Sequence, residues 1–269
     1  MADLVLFGVL WVVLSVIGEI GVSIWGPNFY YYRASIQANE GLHASLFLMH
    51  VLAPIFIFVM LMLIFVPLRF RKTPVGHVVR GKKARSYVPY IAIWVTVSIA
   101  VNLLFFLHPT TSAAEKFFQE VNPNNPVNKN ALVVDVTARQ WQWFFSYPQY
   151  GINSAQNAAG NDVLYLPVNR PVKFVLRSYD PAHTYALGVD VIHSFWVPAF
   201  GLKEDVIPGE TRYEYVTPTK ITSTEVNPMV RVQCAEVCGP GHPYMYAAVH
   251  IVSATAFSQW AAAQHKAGN

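Results

Sequence analysis

The chain opens with three long apolar stretches, residues 4–25, 44–68 and 88–107. At about 1.5 Å of rise per residue, runs of this length cover roughly 30 Å of hydrocarbon, so each is predicted to be a transmembrane helix. The first has no basic leader and no small-x-small cleavage site, and it therefore reads as a retained span rather than a signal peptide. Pro54 is expected to bend the second. From residue 130 the pattern changes to short runs rich in Val, Tyr, Phe and Trp, bounded by Pro, Gly, Asn and Asp. Eight such runs read as strands: 131–138, 140–147, 162–168, 172–178, 187–197, 211–216, 230–233 and 244–252. Short strands at this spacing predict an antiparallel sandwich or barrel rather than parallel βαβ units. The tail, residues 254–265, reads as a short helix with Phe257 and Trp260 on one face. The predicted class is thus a membrane-anchored all-β protein. Residues 1–110 form the anchor and 130–269 an external β-domain. Residues 111–129 form a linker, with a short amphipathic helix at 112–121 ended by Asn122-Pro-Asn-Asn-Pro126.

Composition agrees with that division. The chain is 54% hydrophobic and only 13% charged, which is too apolar for an ordinary soluble protein of its length. Its net charge of +4 comes from one place. Residues 68–87 hold Arg69, Arg71, Lys72, Arg80, Lys82, Lys83 and Arg85 and no acid, whereas residues 111–269 hold eleven basic and twelve acidic side chains. A balanced external domain offers no basic face, which removes the case for nucleic acid as a partner. The basic loop between the second and third stretches predicts that this loop is cytoplasmic and that everything after His108 lies outside. Trp25, Phe29, Tyr30, Tyr31 and Tyr32 would then form an aromatic belt at the outer surface. Glu19 is a carboxyl inside an apolar run, a functional candidate by default, although its place toward the outer end also suits a Glu packed against a partner helix. His43 and His50 read as interfacial or helix-packing residues.

The richest chemistry lies in Cys234-Ala-Glu-Val-Cys238-Gly-Pro-Gly-His242-Pro-Tyr-Met245, which contains both cysteines of the chain. Two thiols, an imidazole and a thioether are soft donors that suit copper better than calcium or magnesium. The Gly-Pro-Gly run cannot continue a helix and should fold the segment into a loop around one point. End loops of a sandwich converge, so His193, in Asp190-Val-Ile-His-Ser-Phe-Trp-Val-Pro198, can complete the set. A disulfide between the cysteines would close only a very short loop, with little stabilisation. Zinc suits two Cys and two His but has no use for Met245. A mononuclear blue-copper site needs one Cys and leaves the second over. Two thiolates bridging two coppers, each with one His and one of them with a weak Met, use every donor.

These residues resemble a known family. Cys234-x-Glu236-x-Cys238-Gly-x-x-His242-x-x-Met245, with Asp190–Pro198 and Asp205-Val-Ile-Pro-Gly209 upstream, looks like cytochrome c oxidase subunit II, and Gln140-Trp141-Gln142-Trp143 resembles that family's electron-receiving segment. The likeness covers about residues 88–262. It implies a cupredoxin-like Greek-key β-sandwich carrying a dinuclear copper A centre of two copper ions. His193, Cys234, Cys238, His242 and Met245 would bind copper through side chains, and Glu236 through its backbone carbonyl. The Glu236 carboxylate would help hold a Mg²⁺ shared with the catalytic subunit I. Trp141 would receive electrons from cytochrome c or a similar soluble carrier. The implied complex is a terminal haem–copper oxidase that reduces oxygen and translocates protons, set in lipid, by expectation in a bacterial inner membrane with the β-domain periplasmic. Two departures stand out. The family has a two-helix anchor where three spans are predicted here, and the Glu that many members carry three residues before the tryptophan of the last span is Ile91, before Trp94. No C-x-x-C-H occurs, so no haem c attachment is expected. Alternatives of the same chemistry are a copper A nitric oxide reductase and a membrane-tethered copper-binding protein.

Overall fold

In the computed structural model, residues 2–29, 32–69, 88–105, 115, 122, 124–157, 160–179 and 191–268 are described. The basic loop beyond Arg69, the expected linker helix apart from Glu115, Tyr30, Tyr31 and Asp190 lie outside them. The chain divides into two units, residues 1–30 with 42–116, and residues 31–41 with 117–269.

The first unit is helical. Helix α1 (Ala2–Trp25) and helix α2 (Ile36–Arg69, which begins in the second unit) are long and apolar enough to cross a membrane. Helix α3 (Val88–Phe105) coincides with the third predicted span but has 18 residues. Among the described residues, two helices are of crossing length, and α3 covers about 27 Å of the third expected span. Pro54 and Pro67 both lie inside α2.

The second unit is a two-sheet sandwich. Its strands are β1 (Leu132–Arg139), β2 (Gln142–Ser146), β3 (Val163–Pro167), β4 (Val172–Ser178), β5 (His193–Val197), β6 (Leu202–Val206), β7 (Arg212–Val216), β8 (Thr222–Ser223), β9 (Arg231–Cys234) and β10 (Tyr246–Val252). One sheet runs β2-β1-β4-β7; the other runs β3-β10-β9-β5-β6, with β8 also on β10. Alternation builds the core. Leu132, Val134, Val136 and Ala138 point inward from β1, and Trp143 and Phe145 from β2, all at most 1% exposed. Burying each such side chain contributes roughly 1.5–3 kcal/mol. The expectation of a wholly antiparallel sandwich needs correction, because β1 pairs with β4, and β10 with β3, in parallel. The chain passes between sheets from β2 to β3 and back to β4, so a returning strand can run in the direction of its neighbour. The architecture is a cupredoxin-like sandwich.

Helix α4 (Ala254–Gly268) closes one end, with Phe257 buried and Trp260 stacked on Tyr165 at 4.5 Å. At another edge, residues 34–38 belong to the sandwich itself. Ala34 N–H donates to the Ala199 carbonyl (2.8 Å), Thr219 N–H to the Ala34 carbonyl (2.8 Å), and the Ser35 hydroxyl to the Phe200 carbonyl (2.7 Å). The same Ser35 oxygen accepts from Ala38 N–H at 2.9 Å and so caps the start of α2. Gly201, at φ +74°, lets this segment approach, since a Cβ there would lie 2.7 Å from Ala38 Cα.

Candidate metal centre and its relatives

Strand β5 begins at His193 and β9 ends at Cys234, and their antiparallel pairing sets Phe195 opposite Cys234. Ala235 N–H donates to the Ser194 carbonyl at 3.0 Å, which holds the start of the loop against β5. Cys234 N–H donates to the Met245 carbonyl at 3.0 Å and closes the loop at its neck. Within it, Gly239 at φ +114° turns the chain, and His242 N–H then reaches the Gly239 carbonyl at 3.0 Å. The Gly-Pro-Gly run thus turns back on itself as its composition predicted.

Soft donors converge inside the loop. Cys234 Sγ lies 3.7 Å from Cys238 Sγ, 3.8 Å from His193 Nδ1 and 3.1 Å from the Glu236 carbonyl oxygen. Cys238 Sγ lies 3.6 Å from His242 Nδ1 and 3.8 Å from Met245 Sδ. Both cysteines are free thiols and both are buried. Ligand atoms of His193, Cys234 and Cys238 all fall within 4.8 Å of one another. The sequence motif is thereby brought to one point with all six groups that it named. Glu236 divides in two: its carbonyl faces Cys234, while its exposed carboxylate accepts from Val237 N–H at 3.2 Å.

The electrostatics fit a cation. Burial, and then the neighbouring Cys234, push the Cys238 thiol up to about 12. Burial, and then His242, push His193 down to about 4, so its imidazole is neutral and its lone pair available near neutral pH. The cluster is electron-rich, sheltered and without a counter-charge of its own, which is the setting in which a soft metal replaces thiol protons. A cavity of about 470 Å³ opens beside it, lined among others by Arg231, Gln233, His242 and Met245.

Trp141 lies on the turn between β1 and β2 and is 37% exposed. Its indole N–H donates to the Cys238 carbonyl at 3.1 Å. Three participants were not read from the sequence. The Gln140 side-chain amide donates to the same carbonyl at 2.7 Å, and the Trp143 indole donates to the Met245 carbonyl at 3.3 Å. Gly241 makes room for the Trp141 ring, because a Cβ there would come within 2.2 Å of it. The only sequence signal for these contacts was the aromatic run itself.

Fold and site together define a cupredoxin-like domain with a buried cluster of soft donor side chains, in a chain that also carries apolar helices of membrane-crossing length. Residues 132–252 match the family model described as cytochrome C oxidase subunit II, periplasmic domain, and this domain is of that family. It is 30% identical over 202 residues to cytochrome c oxidase subunit 2 of Bacillus subtilis, covering 73% of this chain and 51% of that protein. It is 33% identical over 147 residues to the subunit 2 of Alkalihalophilus pseudofirmus, covering 55% and 36%. Over 248 residues it is 27% identical to the probable subunit 2 of Rickettsia prowazekii, covering 87% and 71%. The chain thus spans about half or less of the length of the first two. Among solved structures, the periplasmic domain of subunit II of cytochrome oxidase of Bradyrhizobium japonicum is 27% identical, with a TM-score of 0.42, covering 52% of this chain and 97% of that one.

Proposed function

We propose that the chain is the electron-input subunit of a terminal haem–copper oxidase, taking electrons from cytochrome c or a similar soluble carrier at a dinuclear copper A centre and passing them to haem in subunit I. The observation that carries this reading is the meeting of two free thiols, two imidazoles, a thioether and a carbonyl in steps of 3.1–3.8 Å. Cys234, Cys238, His193, His242, Met245 and the Glu236 carbonyl would hold the copper pair, the thiols and imidazoles as its strong donors. When bound, the copper pair supplies a site that gains and loses one electron with little change of geometry.

The chain's own residues supply the rest. The sandwich fixes His193 on a strand and Cys234–Met245 on a loop closed at its neck, so the donor atoms are held in advance. Trp141 presents half-exposed aromatic surface to a carrier and holds one hydrogen bond to a ligand residue's backbone. The Glu236 carboxylate, exposed and accepting from Val237 N–H, would help bind Mg²⁺ at the junction with subunit I. The helices would place the β-domain on the periplasmic face of a bacterial inner membrane, where no route for oxygen chemistry is needed in this subunit.

The reading is tested by loading the full chain with copper in detergent. Two coppers per chain sharing one unpaired electron in the EPR spectrum are expected, and Cys234→Ser should abolish that spectrum. A stoichiometry of one copper, or a preference for zinc with no optical spectrum, would overturn the reading.

A further inference from the structure

Nothing in the electron-input reading uses Glu19. Apart from its tryptophans, α1 carries four polar side chains, Asp3, Ser15, Glu19 and Ser23. The first three fall on the half-shielded stripe of the helix, and that stripe meets α2. Asp3 pairs with Arg69 at 2.7 Å, the Trp11 indole donates to the Pro54 carbonyl at 2.9 Å, and a Cβ on Gly18 would come within 2.6 Å of the Ile57 side chain. On the same stripe, Glu19 Oε2 lies 2.5 Å from His50 Nδ1. Sixteen residues, roughly 24 Å of helix, separate this pair from Asp3.

Two side-chain oxygens of α1 are left unmet here, and one α2 carbonyl lacks its usual helical donor. Ser15 Oγ, one turn from Glu19 on the same face, and Glu19 Oε1 are both shielded and have no hydrogen-bond partner. The His50 carbonyl loses its helical donor, because the residue four positions on is Pro54, which has no N–H. In hydrocarbon each unmet polar group costs several kcal/mol, and evolution of a dry helix pair would favour Ala and Leu here. A shielded site with two to four polar partners is what an ordered water requires. The Glu19–His50 pair with one proton between them is neutral overall, whichever side holds it, so it escapes the penalty of a net charge in the membrane.

We propose that Ser15, Glu19 and His50 form an intramembrane site holding one proton, shared between Glu19 Oε2 and His50 Nδ1, and one water molecule, held by Ser15 Oγ, Glu19 Oε1 and the His50 carbonyl. No electron moves and no covalent bond to carbon changes; the ligands are a proton and water. The site is separate from the copper ligands, so its test does not depend on them.

The test is proton NMR of the full chain in lipid nanodiscs with ¹⁵N-labelled histidine. The wild type should show a strongly downfield imidazole N–H resonance assigned to His50, with a cross-peak to bound water. Glu19→Gln should lose the downfield resonance. Ser15→Ala should keep it and lose most of the water cross-peak, and Asp3→Asn should leave both in place. Unchanged helical circular dichroism and tryptophan fluorescence in each variant would show that the chain still folds, and Glu19→Asp, which keeps the acid, should shift the resonance rather than remove it. A downfield resonance that survives in Glu19→Gln would overturn the shared proton. A wild-type resonance without a water cross-peak would reduce the site to a dry helix-packing pair and overturn the proposal.

Discussion

Glu214 should make the β-domain less stable as pH rises, and a single substitution should remove that dependence. It sits on β7 opposite Phe174, is 5% exposed, and neither of its carboxylate oxygens has a hydrogen-bond partner. Arg212, two residues away on the same strand, is occupied by Glu210 at 2.8 Å and Glu204 at 3.2 Å. Burial, and then the negative charge of Glu204, push Glu214 from 4.5 up to about 8. Below pH 4.5 the carboxyl is protonated in both states and has no effect. As pH rises further, the unfolded chain releases the proton and the folded chain keeps it, so stability falls by about 1.4 kcal/mol per pH unit until the folded pKa is passed. The whole window represents about 5 kcal/mol as an upper bound, comparable to the total stability of many domains. Glu214→Gln keeps the shape and removes the charge, at a cost of about 1–3 kcal/mol for an unpaired buried amide. Urea unfolding of the metal-free full chain in detergent, followed by tryptophan fluorescence, is the assay, since Trp143 is buried in this domain. At pH 5 the variant should be equal to or less stable than the wild type, and at pH 8.5 it should be more stable. His193, lowered to about 4, acts in the opposite sense, destabilising as pH falls below 6.5, but it is common to both proteins and cancels in the difference. Parallel stability curves from pH 5 to 8.5 would refute the reasoning.

The contact between Trp141 and the ligand loop gives a second prediction: Gly241→Ala puts a methyl within 2.2 Å of the indole. It should displace the ring, leave the copper spectrum in place and slow donor oxidation, as Trp141→Phe should; a normal rate in both variants would remove Trp141 from its role. Gly201→Ala adds a Cβ at φ +74° and 2.7 Å from Ala38 Cα, and should lower the midpoint of thermal unfolding by an amount equivalent to about 1–3 kcal/mol. Donor oxidation should change little between low and moderate salt, because the external part of the chain is nearly charge-balanced and has little long-range steering field for salt to screen; a steep fall would refute this.

The chain shows which features of such a protein can be read from sequence. β1 was legible because its burial alternates strictly along eight residues, and a period of two leaves no other reading. The cluster of soft donors was legible for a different reason: four of them lie within twelve residues, and soft side chains in that density have few other uses. His193 needed the added premise that sandwich loops converge, and the 3.8 Å approach to Cys234 rests on the β5–β9 pairing. The parallel pairing of β1 with β4 was not legible, since strand direction depends on which sheet the intervening strand joins and not on the strand's own residues. The same is true of Gln140 and Gly241. One reads locally as an ordinary polar residue and the other as a turn glycine, and their roles arise only when two segments about a hundred positions apart meet.

The copper loop and the membrane pair can be compared on one physical footing. In both, polar groups are gathered where water is scarce, and in both the groups that lack partners indicate what the place is for. At Cys234–Met245 the unmet requirement is positive charge, because burial opposes the Cys238 thiolate and a neutral His193 has a lone pair to give. At Ser15, Glu19 and His50 the charge is already balanced, and the unmet requirement is hydrogen bonds. A soft cation answers the first need and a water molecule the second; exchanging the two would leave buried thiolates unpaired in one place and a net charge in hydrocarbon in the other. The difference follows from the residue types alone, which is why a sulfur-rich loop and a carboxyl–imidazole pair in one chain can serve unrelated chemistry.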